Sequence, residues 1–370
     1  RLVDIAVLYR SNAQSRVLEH ALFGATIPYR VYGGLRFFER AEVKHALAYL
    51  RLISNSSDDN SFLRVANFPP RGIGARGMEL LQDAAKQRGV SLFEAVDFSP
   101  GKSLAFKKLV QELQQETKDL PLPEMVEHVI HRSGLIEHYK NEREGADRVE
   151  NLEELVNAAG AFTQEEPDPD TGETMSPLVA FLTHAALEAG DNQAAEGQDA
   201  LQLMTVHSAK GLEFNAVFMS GLEEGLFPHE QSVMEKDGLE EERRLAYVAI
   251  TRARQRLYLS FAQTRMLHGQ TRYSLASRFL EEIPEGLKKW LTPRFSRQQR
   301  AMSFDPPTRN TSHADNKDTW FPKKEKPTFT RQRDDSGFRI GQNVTHAKFG
   351  SGVIVDAEGD GGDARVQVNF

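Results

Sequence analysis

The chain has 370 residues, which predicts two or three domains, and 39% of them are hydrophobic, enough for a large core. A formal net charge of −7 argues against a protein that coats nucleic acid with an overall basic surface, although a local basic groove stays open. The chain has no cysteine, which excludes disulfides, thiolate metal sites and thiol nucleophiles.

The first residues, RLVDIAVLYR, show neither an initiator methionine nor the pattern of a signal peptide. No apolar run reaches the roughly 20 residues that cross a membrane, so we expect no membrane partner. The opening residues are typical of the interior of a domain. We therefore expect a cytoplasmic protein whose N-terminal part lies outside this sequence.

The first predicted elements are a strand, a helix and a strand. DIAVLYR is a short apolar strand, SNAQSRVLEHALFGAT is an amphipathic helix with Ser11 or Asn12 as its N-cap, and PYRVYGG is a second strand. This βαβ order predicts a parallel sheet. The fold class we predict is α/β.

A long helical segment then interrupts the α/β pattern. From residue 41 to about residue 195 the periodicity is almost wholly helical, and strands return only at ALQLMTVH. We therefore predict a parallel-sheet domain formed by 1–53 and 198–292, with an all-helical insertion at 54–197. The segment EEPDPDTGETMSP is expected to be an exposed loop.

The composition changes near the C-terminus. Residues 293–336 are rich in Pro, Ser, Thr, Asn and charge, which predicts a disordered linker. Residues 337–370 alternate short β runs with Gly/Asp turns, which predicts a small β-barrel. Because the sequence stops on a strand, we expect this barrel to be truncated.

The segment LMTVHSAKGLEFNAVFMSGL places ionisable residues between two apolar strands. We expect His207, Ser208, Lys210 and Glu213 to lie outside the carboxyl ends of the strands, where open parallel sheets bind ligands. Lysine and histidine beside a glycine turn are suited to phosphate, and a carboxylate can accept hydrogen bonds from ribose. A solvated polar loop is the alternative.

A second segment, EEERRLAYVAITRARQRLYL, predicts a helix followed by a strand, with Arg252 and Arg254 between them. Cations are favoured at a helix C-terminus by the helix dipole, so these arginines are open to a purely structural interpretation. The functional interpretation is that an arginine from this junction reaches a phosphate group.

Two glycine-containing turns remain. In PPRGIGARG, the glycines allow backbone N–H groups to approach a phosphate, although a plain interhelical turn is the alternative. SPGKSL ends like a phosphate-binding loop, but Val96 stands where that motif requires its first glycine, so we predict an ordinary loop. The acidic run EEER is better explained as a helix start and DAEGDGGD as hairpin turns, and DAEGDGGD also lacks the spacing of an EF-hand loop, so we predict no metal ligands.

Taken together, these segments resemble a known family. TVHSAKGLEF followed by EEERRLAYVAITRAR resembles motifs V and VI of superfamily 1A helicases of the UvrD/PcrA/Rep type. VLYRSNAQSRVLEHAL, IPYRVYGGLRFFERAEVKHALAYLRL and NFPPRGIG are similar to the family's preceding segments, in the same order. The C-terminal segment resembles the Tudor-like tail of the UvrD and PcrA members rather than Rep.

The resemblance implies a specific architecture. Residues 1–53 and 198–292 would form the RecA-like domain 2A, 54–197 the helical insertion 2B, and 337–370 a Tudor-like domain. ATP and Mg²⁺ would bind between 2A and a preceding domain, 1A, which holds most of the nucleotide site. Because the P-loop belongs to 1A, we expect this chain alone to be inactive.

The resemblance also implies residue roles. Glu213 would contact the ribose, with Gly211 also at the nucleotide, and Arg252 would reach the γ-phosphate as an arginine finger. His207 and Lys210 would couple that site to single-stranded DNA, which Arg10 and Asn12 would also face. Four residues would contact duplex DNA: Arg71, Gly72, Ile73 and Gly74.

The function that the resemblance implies is ATP-driven 3′→5′ translocation and DNA unwinding in bacterial mismatch and nucleotide excision repair, at the nucleoid. Expected partners are single-stranded DNA, single-strand/duplex junctions, repair proteins and, through the tail, RNA polymerase. The alternatives are a non-catalytic module that binds DNA or RNA polymerase, and a Rep-like replication helicase.

Overall fold

The computed structural model describes residues 1–99, 101–143, 145–162, 175–190, 198–267, 270–292, 343–346, 350–358 and 365–369. The chain divides into two compact units, Arg1–Leu280 and Glu281–Phe370. The predicted linker at 293–336 and most of the predicted loop at 165–177 lie outside the described residues. Among the helices described, none is long and apolar enough to cross a membrane.

The first unit contains a five-stranded sheet in the order β2-β3-β1-β4-β5, and every neighbouring pair is parallel. Its strands are β1 (Ile5–Tyr9), β2 (Tyr29–Val31), β3 (Leu201–Thr205), β4 (Phe214–Met219) and β5 (Ala253–Leu259). The predicted α/β class with a parallel sheet is confirmed. The central strand β1 packs against apolar side chains on both faces of the sheet, which explains its nearly continuous apolar sequence.

Helices connect the strands. Helix α1 (Ser15–Gly24) follows β1, and α11 (Glu230–Met234) and α12 (Gly238–Ile250) lie between β4 and β5. Ser11 caps a short 3₁₀ turn at Asn12–Gln14, and the Gln14 Oε1 atom accepts from the Ser11 N–H at 3.0 Å. Ser11 therefore caps this turn and not α1, whose N-cap is Gln14, and α1 begins later than predicted because the turn precedes it.

Between β2 and β3, the described chain is helical, as predicted. Its helices are α2 (Ala41–Ser54), α3 (Asp59–Val65), α4 (Ala75–Arg88), α5 (Leu92–Ala95), α6 (Ser103–Glu116), α7 (Leu122–Arg132), α8 (Leu135–Lys140), α9 (Gly145–Ala161) and α10 (Pro177–Gly190). Local signals set several of these boundaries. Asp58 and Ser91 accept hydrogen bonds as N-caps of α3 and α5, and Gly89 ends α4 in the left-handed conformation.

The sheet and the helical segment have separate apolar cores. One face of the sheet packs Ala6 and Leu8 with residues of α12, and the other packs Tyr9 and Leu203 against α1. The helical core contains buried aromatic rings such as Phe62 and Phe106, which meet edge to face. Helix α2 contributes its buried residues to this helical core, although the expected boundary after residue 53 assigns it to the sheet domain.

Smaller elements complete the described chain. An antiparallel hairpin, β6 (Thr264–Leu267) and β7 (Gln270–Tyr273), precedes α13 (Arg278–Glu282). In the second unit, β8 (Asn343–His346), β9 (Gly350–Glu358) and β10 (Arg365–Asn369) form an antiparallel sheet in the order β10-β9-β8. These strands fall within the β segment predicted at 337–370.

Candidate functional site

Four of the predicted site residues lie at two opposite edges of the sheet. Arg10 directly follows β1 and His207 follows β3, so both lie at the carboxyl edge. Glu213 directly precedes β4 and Arg252 directly precedes β5, which places them at the amino edge. The expectation that Glu213 lies beside His207 at the carboxyl ends is wrong, because the connection between two parallel strands must return to the opposite edge.

Residues 206–213 form this connection, which we call the crossing loop. Val206 and Ala209 are fully buried, whereas His207, Lys210 and Gly211 are exposed. The turn is closed by N–H groups of Ala209 and Lys210, which donate to the carbonyls of Thr205 and His207. The loop is thus anchored by two apolar side chains and presents its ionisable groups to solvent.

At the amino edge, Arg252 joins the end of α12 to the crossing loop. Its Nε donates to the Val248 carbonyl at 3.0 Å, and its Nη1 donates to the Leu212 carbonyl at 2.8 Å. Its Nη2 donates to the Thr251 Oγ1 atom at 3.1 Å. The guanidinium of the predicted arginine finger is therefore folded against neutral acceptors of its own chain.

Glu213 has a cationic neighbour at the same edge. The Nε of Arg254 donates to Glu213 Oε2 at 3.0 Å, and both side chains are at least half exposed. An exposed pair of this kind contributes little stability and is readily broken by a competing ligand. The carboxylate predicted to meet ribose is accessible, and Arg252 connects the preceding residue, Leu212, to α12.

At the carboxyl edge, Arg10 pairs with Glu242 of α12. Its Nε lies 3.0 Å from each carboxylate oxygen and its Nη2 lies 2.7 Å from Oε1, while the Glu242 side chain is only 2% exposed. Burial opposes ionisation of Glu242, but hydrogen bonds from Arg10 and from the His229 N–H outweigh it and lower the pKa of Glu242. The guanidinium that was expected to face DNA is thus held by a bidentate ion pair.

A second ion pair extends this contact to the helical segment. His229 Nε2 lies 2.8 Å from Oε1 of Glu150, which belongs to α9. The hydrogen bond to Glu150 raises the pKa of His229 against the effect of partial burial. Arg10, Glu242, His229 and Glu150 therefore form a continuous series of contacts, which we call the edge network.

The charges of the edge network affect the pKa of His207. Partial loss of solvation, reinforced by the charge of Arg10, lowers the pKa of His207. The neutral imidazole is consequently favoured at neutral pH. Asn12 is held in a different way, because its backbone carbonyl accepts from Nη1 of the buried Arg40 at 2.9 Å.

Sequence reasoning missed Glu242, His229 and Glu150. Glu242 was interpreted as part of an acidic helix start, together with Glu240 and Glu241 in the first turn of α12. The available signal was its position on the buried face of the helix, four residues before the buried Ala246. The partners of these residues come from distant parts of the chain, so their pairing could not be deduced.

The glycine turn lies at the start of α4. Gly72 has φ of +75°, a conformation that favours glycine, and both Gly72 and Gly74 are exposed. Arg71 turns inward instead, and its guanidinium donates to the carbonyls of Val65, Pro69 and Ser133. Ile73 is buried, so Arg71 and Ile73 hold the turn from inside while the two glycines face outward.

Two cationic side chains lie at this turn. A Cβ placed on Gly72 would lie 2.7 Å from the Nζ atom of Lys102, so the lysine reaches directly over the glycine. Arg76 is exposed in the first turn of α4, a turn that contains no acidic residue. The helix dipole adds positive character at the same place. We refer to Gly72, Gly74, Arg76 and Lys102 as the glycine-turn patch.

Comparison with known proteins decides the family. The family model for the UvrD-like helicase C-terminal domain matches residues 1–264. The chain belongs to the UvrD-like helicase C-terminal domain family. The matched range of this UvrD-like chain contains both sheet edges, the edge network and the glycine-turn patch.

Individual relatives agree with the family. The chain is 47% identical to DNA helicase II of Escherichia coli (strain K12) over 381 residues, covering 100% of this chain and 49% of that protein. It is 38% identical to ATP-dependent DNA helicase PcrA of Bacillus subtilis (strain 168) over 394 residues, covering 100% of this chain and 50% of that protein. The chain thus spans about half the length of these relatives, and the resemblance inferred from its motifs is confirmed.

Proposed function

We propose that this chain provides the second motor domain, 2A, and the helical insertion, 2B, of an ATP-dependent DNA helicase that translocates 3′→5′ along single-stranded DNA. The observation that carries the proposal is the family match over a parallel sheet whose amino edge presents Glu213 and Arg252 together. The relatives named above as DNA helicases support it over the whole chain.

The nucleotide site proposed here lies at the amino edge. Glu213 accepts hydrogen bonds from the ribose, and Arg252 binds the γ-phosphate. Gly211, in the same exposed loop as Glu213, has no side chain and leaves room for the nucleotide. Mg²⁺ and most of the triphosphate are held by the preceding domain, 1A. Hydrolysis of ATP supplies the free energy of each step.

Binding of the nucleotide would change the hydrogen-bond partners of Arg252. A phosphate oxygen is a stronger acceptor for a guanidinium than the neutral carbonyls of Val248 and Leu212. Transfer of Arg252 to phosphate therefore releases the link between α12 and the crossing loop. That loop also carries His207 and Lys210, so a change at the amino edge reaches the carboxyl edge.

We propose that single-stranded DNA lies along the carboxyl edge. His207 and Lys210 are exposed in the crossing loop and contact the DNA backbone or bases, with Arg10 and Asn12 beside them. The neutral imidazole favoured by the lowered pKa of His207 can accept or donate a hydrogen bond. Arg10 takes part through the edge network, whose bidentate pair fixes its position.

Duplex DNA is proposed to bind the glycine-turn patch. Exposed glycines at a helix N-terminus let phosphate approach backbone N–H groups, and Lys102 and Arg76 supply positive charge. Arg71 and Ile73, which were expected to touch the duplex, are proposed to hold the turn instead. Their donors and apolar surface already have partners inside the protein.

The remaining assignments follow the family resemblance. We propose that 2A comprises 1–53 and 198–292, that 2B comprises 54–197, and that β8–β10 belong to a Tudor-like domain at 337–370. This tail would bind RNA polymerase, and the protein would act with mismatch- and excision-repair proteins at the bacterial nucleoid. Loss of RNA polymerase binding in a chain ending at residue 292 tests the tail and separates this proposal from a Rep-like helicase.

Unwinding by a chimera tests the proposed activity. The N-terminal half of the E. coli relative would be joined to this chain, and duplexes with a 3′ or a 5′ single-stranded tail would be compared. We expect ATP-dependent unwinding of the 3′-tailed duplex alone, and DNA binding without ATP hydrolysis by this chain by itself. DNA binding by a chimera that never unwinds would instead support the non-catalytic module.

A further inference from the structure

Three side chains with metal-binding atoms meet between α1 and α10. His20 lies on α1, and His184 and Glu188 lie one helical turn apart on the same face of α10. One ligand atom from each residue can be chosen so that all three lie within 4.8 Å of one another. His20 Nδ1 is 2.6 Å and His184 Nε2 is 3.5 Å from the same oxygen, Oε1 of Glu188.

The donor set indicates which metals would fit. Two imidazole nitrogens and one carboxylate suit Zn²⁺ and related first-row ions, whereas Mg²⁺ and Ca²⁺ prefer oxygen ligands throughout. Side-chain movements of about an ångström would bring the three atoms to the roughly 3.5 Å mutual spacing of a tetrahedral zinc site. Three protein ligands leave one coordination position for water.

The surroundings favour a cation. Glu188 is largely buried, with a side-chain exposure of 7%, and a buried carboxylate is stabilised by a positive charge beside it. Half of the His20 side chain is exposed, which provides a path from solvent. The ring of Phe162 packs edge-on against His184 at 5.5 Å and restricts its orientation.

We propose that His20, His184 and Glu188 bind one zinc-class transition-metal ion that fastens α10 to α1. Helix α10 is the last described helix before the chain returns to the sheet at β3, and α1 packs on that sheet. The ion would therefore tie the helical segment to the sheet. None of the three residues belongs to the crossing loop, the edge network or the glycine-turn patch, so the site does not depend on the proposed helicase function.

Sequence analysis predicted no metal ligands, because the three residues of the proposed site are not recognisable as a group in the sequence. His184 and Glu188 form a spacing found on many surface helices, and His20 lies in a distant part of the chain. Only the packing of α1 against the helical segment brings them together. Without metal, the same contacts would be ion pairs in which two histidines share one carboxylate.

Co²⁺ and Zn²⁺ binding to the metal-free chain would distinguish these two arrangements. The d–d absorption of bound Co²⁺ and its displacement by Zn²⁺ would be followed in four proteins: wild type, His20→Gln, His184→Gln and His128→Gln. His128 is the matched control, because it also pairs with a carboxylate, Glu116, at 2.7 Å but does not belong to the group formed by His20, His184 and Glu188. Circular dichroism would verify that each variant is folded.

We expect wild type and His128→Gln to bind one equivalent, and Zn²⁺ to raise their thermal midpoints by about 2 °C or more. His20→Gln and His184→Gln should lose the Co²⁺ spectrum and the thermal shift. The proposal is overturned if wild type shows no stoichiometric binding. It is equally overturned if His20→Gln and His184→Gln bind Co²⁺ as wild type does.

Discussion

Arg10 offers two of its donor atoms to a carboxylate that is almost fully enclosed by protein. Glu242 also accepts from the His229 N–H, so one carboxylate organises a strand end, a loop and a helix. Removing one partner of a buried ion pair leaves the other charge uncompensated, which costs far more than the loss of an exposed pair. The importance of Glu242 therefore lies in its burial rather than in its charge alone.

Glu242→Gln should lower the free energy of unfolding by about 2–4 kcal/mol, because Arg10 would lose its charged partner. Glu240→Gln on the same helix should change it by about 0.5 kcal/mol or less, since that exposed carboxylate pairs with Arg243 at the surface. Urea unfolding followed by circular dichroism at neutral pH compares the two. Equal effects of both substitutions would show that the edge network is not a stabilising unit.

Acid should weaken the same contact. The lowered pKa of Glu242 means that its stabilisation is fully present above the pKa of an unfolded glutamate and is lost as pH falls through the folded pKa. The difference in unfolding free energy between wild type and Glu242→Gln should therefore shrink as the solution is made acidic. A difference that stays constant from neutral pH to pH ~3 would contradict this assignment.

At the scale of elements, His229 and Glu150 connect the loop after β4 to α9. The pKa of His229 is raised, so its ion pair stabilises the protein fully below the pKa of an unfolded histidine and is lost as pH rises through the folded pKa. The pKa of Glu150 is lowered, which keeps its carboxylate charged throughout that range. The contact between the sheet and the helical segment is thus strongest in mildly acidic solution.

His229→Gln should cost about 1 kcal/mol or more of unfolding free energy at pH ~6, and distinctly less at pH ~9. His131→Gln, which replaces an exposed histidine of α7, should have little effect at either pH. Unfolding curves of the three proteins at the two pH values provide the measurement. If His229→Gln lowered the unfolding free energy more at pH ~9 than at pH ~6, the predicted pH dependence would be reversed and the ion pair would be refuted.

The glycine-turn patch makes a prediction about duplex binding. Lys102→Ala should weaken binding of a tailed duplex and reduce the slope of log K against log salt by about 0.9, the contribution of one phosphate contact. Lys108→Ala is the matched control, because Lys108 is an exposed lysine within α6, the helix whose N-cap residue is Lys102. Equal slopes for Lys102→Ala and wild type would remove Lys102 from the proposed contact.

At the scale of the whole molecule, hydrophobic periodicity was enough to predict the parallel sheet and its helical interruption. Those features depend on local patterns of burial, which β1 and α1 display in their own sequences. The positions of Glu213 and Lys102 depend instead on the paths of the connecting loops and on how the helices pack. The crossing loop carries Glu213 to the far edge, and the packing of α6 brings Lys102 over Gly72, so neither position could be deduced locally.

The inward orientation of the Arg71 side chain also could not be deduced from local sequence. Its sequence context favours a phosphate contact, yet its guanidinium satisfies three carbonyl oxygens and lies over the rings of Tyr49 and Phe106. An arginine is long enough to bind either a ligand or its own fold. Only the three-dimensional arrangement of acceptors decides between these uses.

We propose above that the amino edge of this sheet completes an ATP-hydrolysing motor. The most direct measurement is ATP hydrolysis, with and without single-stranded DNA, by the chimera carrying wild-type sequence, Arg252→Ala or Arg256→Ala. Arg256 is an exposed arginine of β5 and serves as the matched control. Nucleotide affinity would be measured in parallel.

We predict that DNA stimulates hydrolysis by the wild-type chimera and that Arg256→Ala behaves like it. Arg252→Ala should still bind ATP but hydrolyse it about 10³-fold more slowly, as expected when an arginine finger is removed. If DNA fails to stimulate the wild-type chimera, or if Arg252→Ala hydrolyses ATP as fast as Arg256→Ala, the proposed role of this edge is contradicted.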